Sequence, residues 1–517
     1  MKTSNSIRNS FFSLVSNIAT IVIGLIAQAI FIKILGAEYL GLNGLFSNII
    51  SMLGIVELGI GTAIVYNLYK PLHENNEKEI KSLMNFYKKA YNIISIIVLF
   101  IGILITPFLS FFIKEVEVDI NIYLVFLLFV LDVFFSYILS YKRSILYASQ
   151  KNYIINIVHM TYLVGMNLFQ LIILYITHNY YLYLIVKIIM RLYENLVISH
   201  IVNKMYPYLK DKQINALNKN VRKGIFVKIK ALFYHKLGSF IVLGTDNIII
   251  SKFLGLEMVG LYSNYYLIIN ALNTLLGNII TSLTPSIGDL LVENNVEKNY
   301  KTFVKIRFAN FWIAAFSATC LYVVMEPFIK LWIGNDYLLP NIVLLILVIN
   351  YYQKLMRLSY STFKEAAGIF EEDRFVPIIE SIINIAVSIL LVIKIGLSGV
   401  FIGTIISGLV LWLYSYPRFV YKKLFNRSYI SYAKETLGYI FVFSVIITIT
   451  NKINSLFVIE GEFLSVLVSM INSLVISNIL LIIFFYKTEN FKYYKNIILK
   501  ILKKNSKKTK ASFKLKN

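Results

Sequence analysis

Apolar runs of about twenty residues, separated by short polar turns, recur along the whole chain. None alternates apolar and polar positions as a membrane-spanning strand does, and each has the length a helix needs to cross ~30 Å of hydrocarbon. They fall at about 10–32, 40–68, 88–112, 121–146, 154–176 and 181–202, then at about 231–251, 258–283, 304–328, 338–362, 376–395 and 397–417, with two more at about 433–451 and 463–486. The predicted fold class is therefore an all-α polytopic membrane protein with about fourteen transmembrane helices. The second run is long and interrupted by Gly54, Gly59 and Gly61, which predicts a kinked or broken helix. The first is too long for a signal-peptide core and lacks a small-residue cleavage site, so it counts as a span.

The chain contains one pattern twice. Lys33, Leu35, Gly36, Glu38, Gly41 and Leu42 return 219 residues later as Lys252, Leu254, Gly255, Glu257, Gly260 and Leu261. Glu74-Asn75-Asn76 returns as Glu293-Asn294-Asn295 in the same register, and Pro107-Phe108 as Pro327-Phe328 at an offset of 220. Three blocks in one register indicate a duplicated helical unit, the signature of an internally repeated transporter. The sequence thus predicts a six-helix bundle over 1–203, a cytoplasmic linker over 204–230, a second six-helix bundle over 231–425, two additional helices over 426–486 and a basic tail over 487–517. An even number of spans per copy relates the copies by an axis along the membrane normal.

Composition agrees with the pattern: of 517 residues 58% are hydrophobic and 15% charged, and the mean hydropathy is +0.70. A soluble domain carries about a quarter charged residues. The net charge of +24 sits between and after the spans, which argues against nucleic acid and for anionic lipid headgroups at the inner face. With the N-terminus inside, inner segments hold 42 of the 51 Lys and Arg and outer turns six. Both termini are therefore placed in the cytoplasm of a bacterial inner-membrane protein.

Ionisable residues at membrane depth carry the candidate chemistry, because each costs at least ~2.5 kcal/mol against lipid and must face protein or water. Glu57, Asp132, Arg191 and Glu194 lie deepest. Lys187, Arg191 and Glu194 share one helical stripe. Asp132, Ser136 and Arg143 share another, as do Lys228, His235 and Asp246, and Asn350, Lys354, Arg357 and Ser361. The substrate-cavity candidates are Arg191, Lys187, Lys236, Lys354, Arg357 and Gln28. Glu57, Asp132, Glu194 and Asp246 are candidates for ion coupling or charge pairing. Other readings stay open: Lys236, Lys354, Arg357 and Arg143 lie near enough to the inner surface to snorkel, Arg191 and Glu194 could simply neutralise each other, and His159 and His200 could be packing residues.

Catalytic signatures are missing. There is no GxxxxGK[ST] loop, no HExxH and no spaced Cys or His ligand set, so no cofactor or metal is expected. The sole cysteine, Cys320, lies within an apolar run and reads as a core residue.

Several stretches carry a family resemblance. They are Leu35-Gly36 with Glu38 through Leu42, Glu57-Leu58-Gly59, Leu68-Tyr69-Lys70-Pro71-Leu72, Thr245-Asp246-Asn247 through Gly255, Gly260 through Tyr265, Ser286-Ile287-Gly288, Gly368 with Asp373-Arg374, and Asn384 with Ser388. In order and spacing the chain resembles the polysaccharide repeat-unit flippases (Wzx type, O-antigen and capsule exporters) of the multidrug/oligosaccharidyl-lipid/polysaccharide (MOP) superfamily. The resemblance implies two six-helix bundles around a central cavity. It also implies alternating-access transfer of undecaprenyl-pyrophosphate-linked oligosaccharide from the inner to the outer leaflet. Partners implied with it are the lipid-linked oligosaccharide, membrane lipids, a polysaccharide polymerase with chain-length machinery, and a coupling H+ or Na+. Related peptidoglycan-precursor flippases place arginines in the first span, whereas residues 9–32 here carry no charge. Two alternatives compete: an ion-coupled multidrug or cation antiporter of the same fold, and a membrane glycan polymerase or ligase.

Overall fold

The computed structural model describes residues 2–57, 60–114, 118–211, 217, 222–226, 229, 245–293, 295–369, 372–457 and 459–500. These are almost entirely helical, with no strand among them. The longer helices are α1 (Lys2–Leu35), α2 (Ala37–Leu53), α3 (Ile60–His73), α4 (Glu77–Ile105), α5 (Ile122–Tyr137), α6 (Asn152–Thr177), α7 (Tyr180–Met205) and α8 (Asp246–Leu254). They continue as α9 (Leu256–Thr281), α10 (Thr284–Val292), α11 (Val296–Ile333), α12 (Asn341–Ala366), α13 (Val376–Ile395), α14 (Leu397–Val410), α15 (Tyr429–Asn454) and α16 (Glu462–Phe485).

Eleven helical segments among the described residues are long and apolar enough to cross a membrane, and the protein is an all-α multi-pass membrane protein. Three expected spans fall outside that set, each for its own reason. The 40–68 run is two helices, α2 and α3, of 17 and 14 residues, parted by a tight turn at Gly54–Glu57 as its glycines predicted. The 181–202 run is α7, long enough at 26 residues but interrupted by the charges of Lys187, Arg191 and Glu194. Most of the 231–251 run lies outside the described residues, and α8 holds its end.

The chain forms two compact units, one of Met1–Ala271 with Glu371–Ser407, the other of Leu272–Phe370 with Gly408–Asn517. In the second, α11 runs for 38 residues and packs on α12, α15 and α16. Its aromatic core gathers Phe303, Tyr360, Phe363, Tyr421 and Phe425. Part of that core comes from Leu411–Leu424, where the helix widens to the i→i+5 pattern around Pro417.

The first unit shows the repeat in its backbone. Gly36 and Gly255 have nearly the same conformation, φ 93, ψ 178 and φ 99, ψ 171, a region that essentially only glycine occupies. Each breaks the chain between two helices at the same point of its copy. Beyond the breaks the copies touch reciprocally. A Cβ on Gly41 would stand 1.9 Å from the Leu256 carbonyl oxygen, and one on Gly260 would stand 2.0 Å from that of Ala37. Ala37 and Leu256 are equivalents, as are Gly41 and Gly260, so the contact is self-complementary in the manner of a two-fold axis. Next to it, a Cβ on Gly44 would lie 2.9 Å from the Ser263 hydroxyl, its own equivalent. Helix starts repeat too: Asn76 caps α4 by accepting from the Glu79 amide at 3.2 Å, and Asn295 caps α11 by accepting from the Lys298 amide at 2.9 Å.

Gly41→Ala and Gly260→Ala should each lower the thermal unfolding midpoint of the purified protein, by overpacking worth about 1–3 kcal/mol. Gly438→Ala, where nothing lies within 4 Å of the added methyl, should leave it unchanged or slightly raised.

Candidate functional site

α7 is an unbroken helix, so Lys187, Arg191 and Glu194 do form one stripe. That stripe faces α5, and its charges interleave with those of three neighbouring elements. Lys187 Nζ lies 3.2 Å from Asp132 Oδ2, and Arg191 Nε lies 3.5 Å from Asp132 Oδ1. Arg191 Nη1 reaches Glu194 Oε2 at 3.2 Å. Glu194 Oε1 takes two more partners, Arg143 Nη2 at 3.1 Å and His159 Nδ1 at 3.0 Å. Aromatic rings back the cations, with the Arg191 guanidinium 4.8 Å from the Tyr162 ring centre and the Lys187 ammonium 4.8 Å from that of Phe129.

Two properties follow from this geometry. Three cations, Lys187, Arg191 and Arg143, are paired with two carboxylates, Asp132 and Glu194. The signs are also sorted by depth. The carboxylate side chains are 8% and 2% exposed (Asp132 and Glu194) while those of Lys187, Arg191 and Arg143 keep 25%, 22% and 18%. Acids sit inside and hold a cationic rim in place.

Arg143 joins because the helix carrying Asp132 breaks. α5 ends at Tyr137, Leu139 takes a left-handed conformation at φ 64, and a single tight turn over Ser140–Lys142 leads to a new helix beginning at Arg143. The spacing Asp132, Ser136, Arg143 assumed a continuous helix, and the break overturns it. Asn195, buried on α7, repairs the break: its Nδ2 donates to the carbonyls of Phe135 and Ile138, both at 2.8 Å. Arg143 and His159 were the members least favoured from sequence, since a helical wheel cannot carry a phase across a break or place a residue from another helix.

The other candidates lie elsewhere. Glu57, at the α2–α3 turn, accepts from the Tyr91 hydroxyl at 3.0 Å and is hydrogen-bonded to Tyr137. Gln28 Nε2 donates to Asn264 Oδ1 at 2.7 Å, tying α1 to α9 near the glycine contact. Asp246 opens α8 beside Thr245, whose hydroxyl meets Asn384 Oδ1 at 3.4 Å. In the second unit Lys354 is exposed, and the Arg357 guanidinium lies over Gly408, where a Cβ would come within 2.0 Å of it. Lys236 lies outside the described residues, as do Lys228 and His235 of its stripe. No group of three or more His, Cys, Asp or Glu able to hold a metal occurs among the described residues.

One buried cation escaped the sequence reading. Arg307 on α11 is 2% exposed and bonds the Tyr421 hydroxyl and the Glu435 carboxylate. Glu435 also accepts from Tyr300 and Ser431, each at 2.9 Å. Arg307 lies near the start of the 304–328 run and belongs to none of the charged stripes read from the sequence. Enclosed by aromatic rings, it ties α15 to α11.

A family model described as polysaccharide biosynthesis protein matches residues 6–291, more than half of the chain. The chain belongs to the polysaccharide biosynthesis protein family. The fold of this family member is similar to that of a solved structure of the lipid II flippase MurJ in an inward closed conformation. The TM-score is 0.69 at 14% identity, covering 94% of this chain and 99% of the other. It is also similar to an inward-facing multidrug resistance MATE family transporter of the MOP superfamily, with TM-score 0.56 at 16% identity, covering 76% and 91%. The MATE transporter VcmN of Vibrio cholerae gives TM-score 0.54 at 15% identity, covering 82% and 99%. No curated sequence is close enough to count as a relative. At these identities the structural likeness speaks for the fold, and it agrees with the superfamily that the sequence resembles.

Asn195→Leu removes two buried hydrogen bonds and strands two carbonyls, so it should lower stability by about 1–3 kcal/mol in detergent unfolding. Arg307→Met leaves Glu435 without its cation and should cost about 3–5 kcal/mol, whereas Lys298→Gln, at an exposed pair, should change stability by less than about 1 kcal/mol.

Proposed function

We propose that this member of the polysaccharide biosynthesis protein family is a flippase. Its cargo is a lipid-linked oligosaccharide carrying an anionic pyrophosphate, moved from the cytoplasmic to the outer leaflet of the bacterial inner membrane by alternating access, with both termini cytoplasmic. The observation that carries this reading is the partly exposed rim of Lys187, Arg191 and Arg143 held in place by two buried carboxylates. A cation at membrane depth is retained where it has an anion to meet, and a guanidinium fork suits phosphate oxygens. The likeness in fold to a lipid II flippase supports the same cargo class.

The likeness to MATE transporters keeps a drug or cation antiporter as the second reading. Cation transport calls for accessible carboxylates, whereas at α5–α7 the carboxylates are buried and the cations keep the exposure. Glu57, held by Tyr91 at the junction of α2 and α3, is the proposed site of a coupling ion within the flippase.

The deciding experiment is complementation of a flippase-deficient strain supplied with defined lipid-linked repeat units, scoring sugar on the outer leaflet. Wild type should restore outer display, and Arg191→Gln should reduce it at least about tenfold, the loss of one charge-assisted contact, with the protein still present in the membrane. Arg191→Lys should retain part of the activity. Full activity in Arg191→Gln, or sugar confined to the inner leaflet with wild type, contradicts the reading.

A further inference from the structure

A second cationic site lies in the first unit, away from Arg191. The first turns of α4, the Ser140–Lys142 turn and the segment Pro207–Lys210 enclose a cavity of about 300 Å³ lined by Lys81, Lys88, Lys142, Lys210, Tyr141 and Asp211. Four ammonium groups thus border one small space with one carboxylate. That carboxylate is already engaged, Asp211 Oδ2 lying 3.1 Å from Lys81 Nζ. Lys88, Lys142 and Lys210 form no ion pair among the described residues.

Positive-inside lysines ordinarily point to solvent and demand no ligand. Lys142 does not fit that account. It is 9% exposed, and its ammonium donates to Ser199 Oγ at 2.9 Å and to Asn203 Oδ1 at 2.6 Å. Both partners are neutral, so they orient the ammonium without neutralising it, and one of its three N–H donors remains. Lys88 and Lys210 stand close enough to repel it. A buried cation without a counter-charge, crowded by two more, is held at a cost in free energy that an anion in the cavity would relieve.

We propose that this cavity is a binding site for a phosphate-bearing headgroup. Several convergent N–H donors and an excess of positive charge select a compact polyanion over a neutral sugar or a drug cation. The volume reaches the lower end of ligand sites, ~300 Å³, enough for a phosphate or pyrophosphate with little besides. The site stands near the inner ends of its helices, where anionic phospholipids of the inner leaflet and the pyrophosphate of a lipid-linked sugar both present that group. The assignment concerns binding and holds whether or not the protein flips lipids.

The test uses the full chain in phosphatidylcholine nanodiscs and reads the thermal unfolding midpoint in two arms. One arm titrates phosphatidylglycerol into the disc, and the other titrates inorganic pyrophosphate into the buffer. A saturable upward shift is expected in at least one arm: the lipid arm alone names a phospholipid headgroup, and the pyrophosphate arm names a group presented from water. The double variant Lys88→Gln/Lys210→Gln, at two exposed positions that leave the fold intact, should weaken the effect by about tenfold or more. The part of the shift that the double variant removes should persist in Arg191→Gln. No shift in either arm, a shift indifferent to the double variant, or a shift lost in Arg191→Gln instead, overturns the proposal.

Discussion

The first unit depends on two helices approaching closer than any side chain allows. Gly41 rests on the Leu256 carbonyl and Gly260 on that of Ala37, so each copy of the repeat supplies both a bare backbone and a surface for the other's. With lipid outside as apolar as the core, helices in a bilayer associate through close packing and polar contacts, not through hydrophobic burial. Small residues at the crossing therefore set the separation of α2 and α9. The Gln28–Asn264 hydrogen bond and the Gly44–Ser263 approach follow along the same seam. The positive-φ glycines at 36 and 255 bring both helices to it at matching angles.

Charge organises a different part of the unit. α5, the helix begun at Arg143, α6 and α7 are held together by four ion pairs and the His159–Glu194 contact, which converge on two buried carboxylates. Asp132 and Glu194 fix the rim cations at low rotamer freedom, which is what recognition of a rigid anion requires. The second unit buries its own cation differently. Arg307 is enclosed by aromatic rings and paired with Glu435, so it joins helices. The two units thus hold their deep cations differently: Arg307 is almost fully enclosed, while Lys187, Arg191 and Arg143 keep part of their surface.

Much of this was legible beforehand. Apolar run lengths carried the helices, because hydrocarbon thickness dictates them, and the 219-residue register carried the equivalence of Gly41 with Gly260 and of Asn76 with Asn295. Glycine spacing announced the break between α2 and α3. The stripe on α7 was readable since one helix keeps its phase. What the sequence hid were events between elements: the left-handed Leu139 that ends α5, the arrival of Arg143 and His159 at Glu194, and the enclosure of Arg307 by Phe303, Tyr421 and Tyr439. Each depends on tertiary neighbours that no period in the chain encodes.

The sorting of acids inward and bases outward separates two tasks that a single ion pair would merge. The buried carboxylates belong to the scaffold, and under the proposed function only the outer ring meets the cargo. A lineage meeting a cargo with more or fewer negative charges could therefore adapt by exchanging one rim side chain, with the anchoring acids and the glycine seam untouched. If the proposed function holds, a change of glycan would then require little remodelling of the rest of the protein.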